Sequence, residues 1–281
     1  MNPYRRANRD RDDLAKKTTQ QFLDLQHLGE RRWQLAVGAR HTGGRGSLFG
    51  GVGLAAAIAA LEQDTAAPVV WATAQYISIT QQPAVMDLDV RLPAVGRSVT
   101  QGQVTGHIGE RQVISVMAAL GRRSEQERGI WERMPAAPDP GDCEQVHHHH
   151  HEGETLHDHT ELRMARGMFG FTQTGTSTRD SGSLVWARMT DVHHDAGTLA
   201  ILADYMPSAV GNAVGKRLRC TSLDNTIRYA DAGNAPETEW ILLENRIEFI
   251  GNGFANGTGL MWSQEGRLLA TASQSMIVAP F

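Results

Sequence analysis

The sequence predicts an α+β protein made of two copies of one unit, each a long apolar helix wrapped by a curled antiparallel sheet. The order of elements repeats along the chain. An apolar helix at 52–62 precedes a run of β-branched stretches, and so does a second helix at 199–214. Late in each run, GERQV at 109–113 resembles EGRLL at 265–269. A repeat of this size indicates a tandem duplication of a domain.

Composition argues against several classes of function. The chain has 281 residues, of which 41% are hydrophobic and 21% charged, as in ordinary globular proteins. Its net charge of −4 favours neither nucleic acid nor an anionic membrane as a partner. Two cysteines are too few for a disulfide framework, and we recognise no signal peptide and no apolar run of membrane-spanning length. We therefore expect a cytoplasmic protein.

Changes in composition predict four segments: a flexible charged tail at 1–18, a first domain at 19–123, a linker at 124–160 and a second domain at 161–281. The linker is rich in proline and charge, and it contains five consecutive histidines, His147 to His151. Such a run could bind a transition metal, but a solvated low-complexity loop is the favoured interpretation. We therefore assign no metal site.

The first domain begins with a predicted short helix at 20–29, because Phe22, Leu25 and Leu28 have helical spacing and Gly29 can end the helix. The other predicted elements are a strand at 32–40, the helix at 52–62 and strands at 69–80, 84–92, 98–108 and 112–120.

A glycine-rich segment, HTGGRGSLFGG at 41–51, runs directly into the first helix. Its glycines either form turns with positive φ or bring backbone N–H groups close to a ligand at the helix N-terminus. The spacing matches neither a P-loop nor a dinucleotide fingerprint. The segment alone is a weak signal of a binding site.

The second domain has predicted strands at 162–172 and 184–189, the helix at 199–214, and strands at 217–229, 239–249, 253–262 and 267–278. Asp204 is the carboxylate inside the apolar run of this helix. Burying an unpaired carboxylate is costly. Asp204 therefore either lies at a helix end near solvent or belongs to a functional site that raises its pKa.

Five segments resemble the acyl-CoA thioesterase II family: RGSLFGG, LVWARM, LAILADYMPSAV, TSLDN and ATASQS. The resemblance implies a tandem (double) hotdog fold and hydrolysis of fatty acyl-CoA to free acid and CoA, without a cofactor. It also implies a catalytic Asp on the second helix, a hydroxyl on the next strand and a Gln on the last strand. These positions are Asp204, Ser222 and Gln274.

Two features differ from what the family pattern leads us to expect. Ser222 stands where many members have threonine, although the hydroxyl is kept. Ser275 stands where we expect an acidic residue, a difference that bears on substrate preference. The counterparts of the three catalytic positions in the first domain are apolar and cannot perform acid–base chemistry: Val52, Val70 and Ala118.

The residues themselves support this chemistry. On the last strand, Gln274 shares a face with four apolar residues by period two, and a buried amide needs partners. Asp204 would act as the base that takes a proton from water, while Ser222 and Gln274 orient that water. The alternative is that Gln274 and Ser222 simply satisfy each other or backbone groups.

Three further residues are assigned to substrate binding or support. Backbone N–H groups near Gly50 and Gly51 are candidates to stabilise negative charge on the thioester oxygen. Asp224 is expected to support the site beside Ser222 rather than to act as the base.

Two other functions stay open. The chain could be a catalytically silent protein that binds acyl-CoA or an acyl carrier, because fold does not guarantee activity. Enoyl-CoA hydration ranks lower, because no histidine follows Asp204 closely. We expect a homo-oligomer, a dimer or larger, with acyl-CoA as the partner.

Overall fold

The computed structural model describes residues 16–124, 127–148, 153–234 and 237–280. Those residues contain four α-helices: α1 (Thr19–Leu23), α2 (Gly50–Thr65), α3 (Ala196–Ala203) and α4 (Ala209–Val214). The strands of the first half are β1 (Gln26–Gly29), β2 (Arg32–Val37), β3 (Val69–Tyr76), β4 (Ala84–Val95), β5 (Val99–Ile108) and β6 (Arg111–Gly121). Those that follow are β7 (Glu144–Gln145), β8 (Thr160–Arg166), β9 (Met168–Phe169), β10 (Thr174–Gly175), β11 (Gly182–Met189), β12 (Leu218–Ser222), β13 (Asp224–Tyr229), β14 (Ile241–Gly251), β15 (Phe254–Ser263) and β16 (Leu268–Pro280).

One antiparallel sheet of 14 strands joins the two halves of the chain. Its order is β1-β2-β4-β5-β6-β3-β13-β16-β15-β14-β11-β8-β7, and β12 pairs separately with β16. The halves meet where β3 pairs with β13. There Thr73 lies opposite Thr226, and their hydroxyls hydrogen-bond at 2.7 Å. This junction brings the end of β3 close to the start of β13, which positions the site described below.

The first long helix agrees with the sequence, and the second does not. Helix α2 is continuous, and most of its residues are buried where it packs against α3, β3 and β6. The single helix predicted at 199–214 is wrong, because the chain forms α3, then a 3₁₀ turn at Met206–Ser208, then α4. Pro207 explains the break, since its ring lacks the N–H that would bond to the carbonyl of Ala203. The break leaves Asp204 as the C-cap of α3.

The two central helices approach each other closely at a glycine. A β-carbon on Gly51 would lie 2.8 Å from the Ala200 carbonyl oxygen and 2.8 Å from the Ile201 α-carbon. The N-terminus of α2 therefore lies directly against α3. Asp195 caps the other end of α3, where its carboxylate accepts from the Thr198 N–H at 3.0 Å.

Two other predicted elements differ from the structure. The helix predicted at 20–29 ends after Leu23, because Asp24 adopts a left-handed conformation with φ of 51°, and 26–29 becomes strand β1. The strand predicted at 217–229 is divided into β12 and β13 at Leu223. There the Leu223 N–H donates to the Ser275 carbonyl, and the Tyr76 N–H donates to the Leu223 carbonyl. These bonds tie both halves together beside Ser222.

The linker at 124–160 is partly ordered structure rather than a simple solvated loop. Strand β7 pairs with β8, and Val146 and Leu156 are buried in the main core. Of the histidine run, His147 is exposed and His148 stacks on His157 with ring centroids 3.9 Å apart. The rest of the run, 149–151, lies outside the described residues.

Candidate active site

Asp204 is buried at the end of α3, and its carboxylate accepts hydrogen bonds from three directions. The Gly51 N–H, in the first turn of α2, donates to Oδ2 at 2.7 Å. The Gln274 amide Nε2 donates to Oδ1 at 2.6 Å, and the Ser222 hydroxyl donates to Oδ1 over a longer 3.4 Å. Asp204 thus joins one helix N-terminus to two strands of the sheet.

Gln274 and Ser222 also contact each other. Gln274 Nε2 donates to Ser222 Oγ at 2.7 Å, so the two hydrogens of this amide nitrogen are both used. The tertiary structure therefore brings Asp204, Ser222 and Gln274 into one hydrogen-bonded cluster, although 70 residues separate Asp204 from Gln274. Gln274 Oε1 is buried and has no partner within the described part of the chain.

Burial raises the pKa of Asp204 from 3.8 to about 6, despite the opposing hydrogen bonds from Gly51, Gln274 and Ser222. Desolvation disfavours the charged form of a carboxyl group, and donors that bond to the charged form favour it. The balance leaves a carboxylate that is mostly ionised at neutral pH and basic enough to take a proton from water.

The glycines at the start of α2 allow the carboxylate to approach the backbone. A β-carbon on Gly50 would lie 2.9 Å from Asp204 Oδ2 and 2.7 Å from Cζ of Tyr76. The Gly51 N–H is engaged by Asp204, whereas the Gly50 N–H has no acceptor among the described residues. Helix N-termini attract negative charge, which fits a carboxylate at this position.

Asp224 lies at the start of β13 and does not bond to the other three site residues. Its Oδ1 accepts from the backbone N–H of Ser275 at 2.5 Å. Ser275 follows Gln274 on β16, so this bond fixes the strand that carries the Gln274 amide. The bond thus links the start of β13 to β16.

Two residues of this cluster were missed in the sequence. Tyr76 ends β3 and Asn225 follows Asp224 on β13, and both lie close enough to the carboxylate for its charge to interact with them. Each lies on the inward face of its strand, with Ala72 and Ala74 on β3 and Ile227 on β13. The signal available in the sequence was this period-two pattern, in which a polar group interrupts an apolar face.

Aromatic rings pack around the next residue along the chain. The ring of Tyr205 lies 5.1 Å from the ring of Phe49, and the Tyr205 hydroxyl is 2.9 Å from Nδ1 of His157. Phe49 precedes Gly50, so these rings surround the site on the side of Tyr205.

The described ranges hold no group of three or more His, Cys, Asp or Glu side chains arranged to bind a metal ion. In the same ranges, no helix is both long enough and apolar enough to cross a lipid bilayer.

Comparison with solved structures identifies the fold class. A hotdog-fold protein from Alicyclobacillus acidocaldarius superimposes with a TM-score of 0.80 at 20% identity, over 94% of this chain and 98% of that one. An acyl-CoA thioesterase II from Mycobacterium marinum has a TM-score of 0.71 at 19% identity, over 94% and 99% of the two chains. The protein therefore has a hotdog fold with a large antiparallel sheet.

The family follows from two further matches. The model of the acyl-CoA thioesterase C-terminal domain matches residues 103–278. A candidate thioesterase from Novosphingobium aromaticivorans is 30% identical, with a TM-score of 0.79, over 90% of this chain and 97% of that one. The chain belongs to the acyl-CoA thioesterase family defined by that C-terminal domain. A search of curated proteins found no match.

Proposed function

We propose that the protein hydrolyses fatty acyl-CoA thioesters to the free acid and CoA, with Asp204 activating the attacking water. The observation that carries the proposal is the buried Asp204 carboxylate with a pKa of about 6, held by Gln274 and Ser222. Membership of a thioesterase family supports the reaction class.

The proposed reaction uses the remaining acceptor capacity of the cluster. A carboxylate offers about four lone-pair directions, and Gly51, Gln274 and Ser222 occupy three of them. Water donates one hydrogen into the fourth and its other hydrogen to Gln274 Oε1, which lacks a partner among the described residues. Ser222 holds the Gln274 amide in this orientation.

The steps then balance as a simple hydrolysis. The water oxygen attacks the thioester carbonyl carbon while its proton passes to Asp204. The tetrahedral intermediate collapses, the carbon–sulfur bond breaks, and the proton on Asp204 passes to the departing thiolate of CoA. The products are a carboxylic acid and CoA thiol, and Asp204 returns to its ionised state.

We also propose that the fold is a double hotdog, with domains at 19–123 and 161–281 and the linker at 124–160. The pairing of β3 with β13 supports it, because the Thr73–Thr226 contact lies where two equivalent units would meet. Only the second unit carries the acid–base set. A cytoplasmic location and a homo-oligomeric state remain predictions.

The test is thiol release from short, medium and long acyl-CoAs by the purified protein, measured beside Asp204→Asn and the exposed control Asp142→Asn. We expect turnover by wild type and by the control, and a loss of roughly 10²–10⁴-fold in Asp204→Asn, the contribution of a general base. Binding of acyl-CoA without turnover would instead support a silent binding protein. Turnover that persists in Asp204→Asn would place the base elsewhere.

A further inference from the structure

Polar atoms without hydrogen-bond partners gather around Asp204. Among the described residues, they include the Tyr76 hydroxyl, both polar atoms of the Asn225 amide, and Gln274 Oε1. Buried polar groups in proteins are normally paired, because leaving one unpaired is costly. A cluster of them beside a carboxylate indicates a place where a bound molecule supplies the missing partners.

The Tyr76 hydroxyl lies on the same side of the site as the carboxylate. A β-carbon on Gly50 would lie 3.0 Å from the Tyr76 oxygen and 2.9 Å from Asp204 Oδ2, so both groups border the backbone of Gly50. The hydroxyl oxygen is buried while the residue as a whole is partly exposed. The hydroxyl can therefore meet a substrate that enters along the ring.

A second donor points to the same place. The Gly50 N–H belongs to the first turn of the 16-residue helix α2 and has no acceptor within the described part of the chain. Its neighbour, the Gly51 N–H, is already bonded to Asp204. One backbone donor and one phenolic donor thus stand beside the proposed base.

We propose that Tyr76 is a catalytic residue whose hydroxyl, together with the Gly50 N–H, donates hydrogen bonds to the thioester carbonyl oxygen as it becomes negatively charged. The inference rests on the proposed thioesterase function and adds to it a donor from the first half of the chain. Donors aimed at developing charge in a site that excludes water stabilise the transition state strongly.

The proton of Tyr76 is available for this task. Asp204 receives its hydrogen bonds from Gly51, Gln274 and Ser222 and none from Tyr76. Burial and the nearby Asp204 charge raise the pKa of Tyr76 well above its usual value, so the phenol stays neutral and remains a donor. No proton leaves Tyr76 during the reaction, because it only donates a hydrogen bond.

The rival explanation is structural: Tyr76 packs against Asn225 and stabilises the junction of β3 with β13. The two explanations predict different effects of Tyr76→Phe on Tm and kcat. This substitution removes the hydroxyl and keeps the ring. The Tyr76 hydroxyl makes no hydrogen bond of good geometry within the described part of the chain, although the Asn225 side chain is near enough to lower its pKa, so we expect its removal to change Tm little. A hydroxyl that bonds the substrate oxygen should lower kcat when removed.

The matched control is Tyr229→Phe. Tyr229 is partly buried, like Tyr76, but its hydroxyl donates to the Ala196 carbonyl oxygen at 2.7 Å and lies outside the cluster around Asp204. We expect Tyr229→Phe to lower Tm through the loss of this one hydrogen bond and to keep kcat within about threefold of wild type, because the bond lies away from the reaction.

The experiment measures kcat, KM and Tm for wild type, Tyr76→Phe, Tyr229→Phe and Asp204→Asn on the preferred acyl-CoA. We expect Tyr76→Phe to lower kcat roughly 100-fold with little change in KM, the size of effect seen when one oxyanion donor is lost. Full activity in Tyr76→Phe beside an inactive Asp204→Asn would overturn this inference and leave the proposed function intact. A Tyr76→Phe protein that unfolds would also overturn it, because the hydroxyl would then be structural. Inactivity of wild type on every acyl-CoA would overturn both.

Discussion

Asp204→Asn should make the protein more stable at neutral pH while abolishing turnover. In the folded protein the pKa of Asp204 is about 6, against 3.8 for the unperturbed carboxyl group. The difference of about two units corresponds to about 3 kcal/mol at pH 7, since one unit is worth about 1.4 kcal/mol. Holding this carboxylate ionised in its buried site therefore destabilises the fold.

The raised pKa of Asp204 determines how its contribution to stability changes with pH. Because the folded-state pKa is raised, the folded state binds more protons than the unfolded state between pH 4 and pH 6. The contribution of Asp204 to stability is therefore at its best below pH 4 and is lost as the pH rises through 6. Asparagine removes the titrating group and with it this loss.

The site can accept asparagine. Its side-chain oxygen can keep the hydrogen bond from the Gly51 N–H, and its amide would then face Gln274. If the Gln274 amide rotates by half a turn, its unpaired Oε1 becomes the acceptor for that amide. The rotated Gln274 amide nitrogen then lies where no partner exists among the described residues, which offsets part of the gain by about 1–3 kcal/mol at every pH.

The assay is chemical denaturation of wild type and Asp204→Asn at several pH values from 4 to 7.5. We expect the variant to gain up to about 3 kcal/mol of unfolding free energy at pH 7 and less than about 1 kcal/mol at pH 4. A stability difference between variant and wild type that does not grow in favour of the variant as the pH rises from 4 to 7 would refute the argument that burial raises this pKa.

Three further predictions follow from the same cluster. The kcat/KM of wild type should fall on the acid side with an apparent pKa of about 6, because a protonated Asp204 cannot accept a proton from water; a profile flat from pH 5 to 8 would contradict this. Ser222→Ala should lower kcat about tenfold or more, because it loses the hydroxyl that holds the Gln274 amide. Ser222→Thr keeps that hydroxyl and should keep activity. Equal rates in the two variants would contradict this role of the Ser222 hydroxyl. Gly51→Ala should cost about 1–3 kcal/mol of unfolding free energy, because its β-carbon would press on the backbone of α3, whereas Gly251→Ala meets no neighbour and should be near neutral by thermal denaturation.

Much of the architecture could be predicted from local patterns. Strands β4, β5 and β6 were expected within a few residues of their observed bounds, because period-two alternation and flanking glycine turns are local signals. Two helix predictions were wrong because a single residue ends each helix early. Whether such a residue ends a helix depends on how the chain packs around it. The break at Pro207 and the left-handed Asp24 each end a helix that apolar spacing alone would continue.

Some residues of the candidate site could be recognised in the sequence, and others only in the folded protein. Asp204 and Gln274 stand out in the sequence as lone polar residues on apolar faces, and the family resemblance selects Ser222 between them. The resemblance could not place Tyr76, which comes from the other half of the chain and reaches the site only because β3 pairs with β13. Nor could it assign the Gly51 N–H to Asp204, a contact across 153 residues.

Residue type and local periodicity were enough to predict the alternation of helices and strands, and the resemblance of five segments to one family was enough to select Asp204, Ser222 and Gln274 as candidates. Which groups face the Asp204 carboxylate, and how strongly its pKa is raised, could be read only from the folded chain. Burial and hydrogen-bond direction are properties of the packed chain, since they arise when α2, α3 and the central strands exclude water from Asp204.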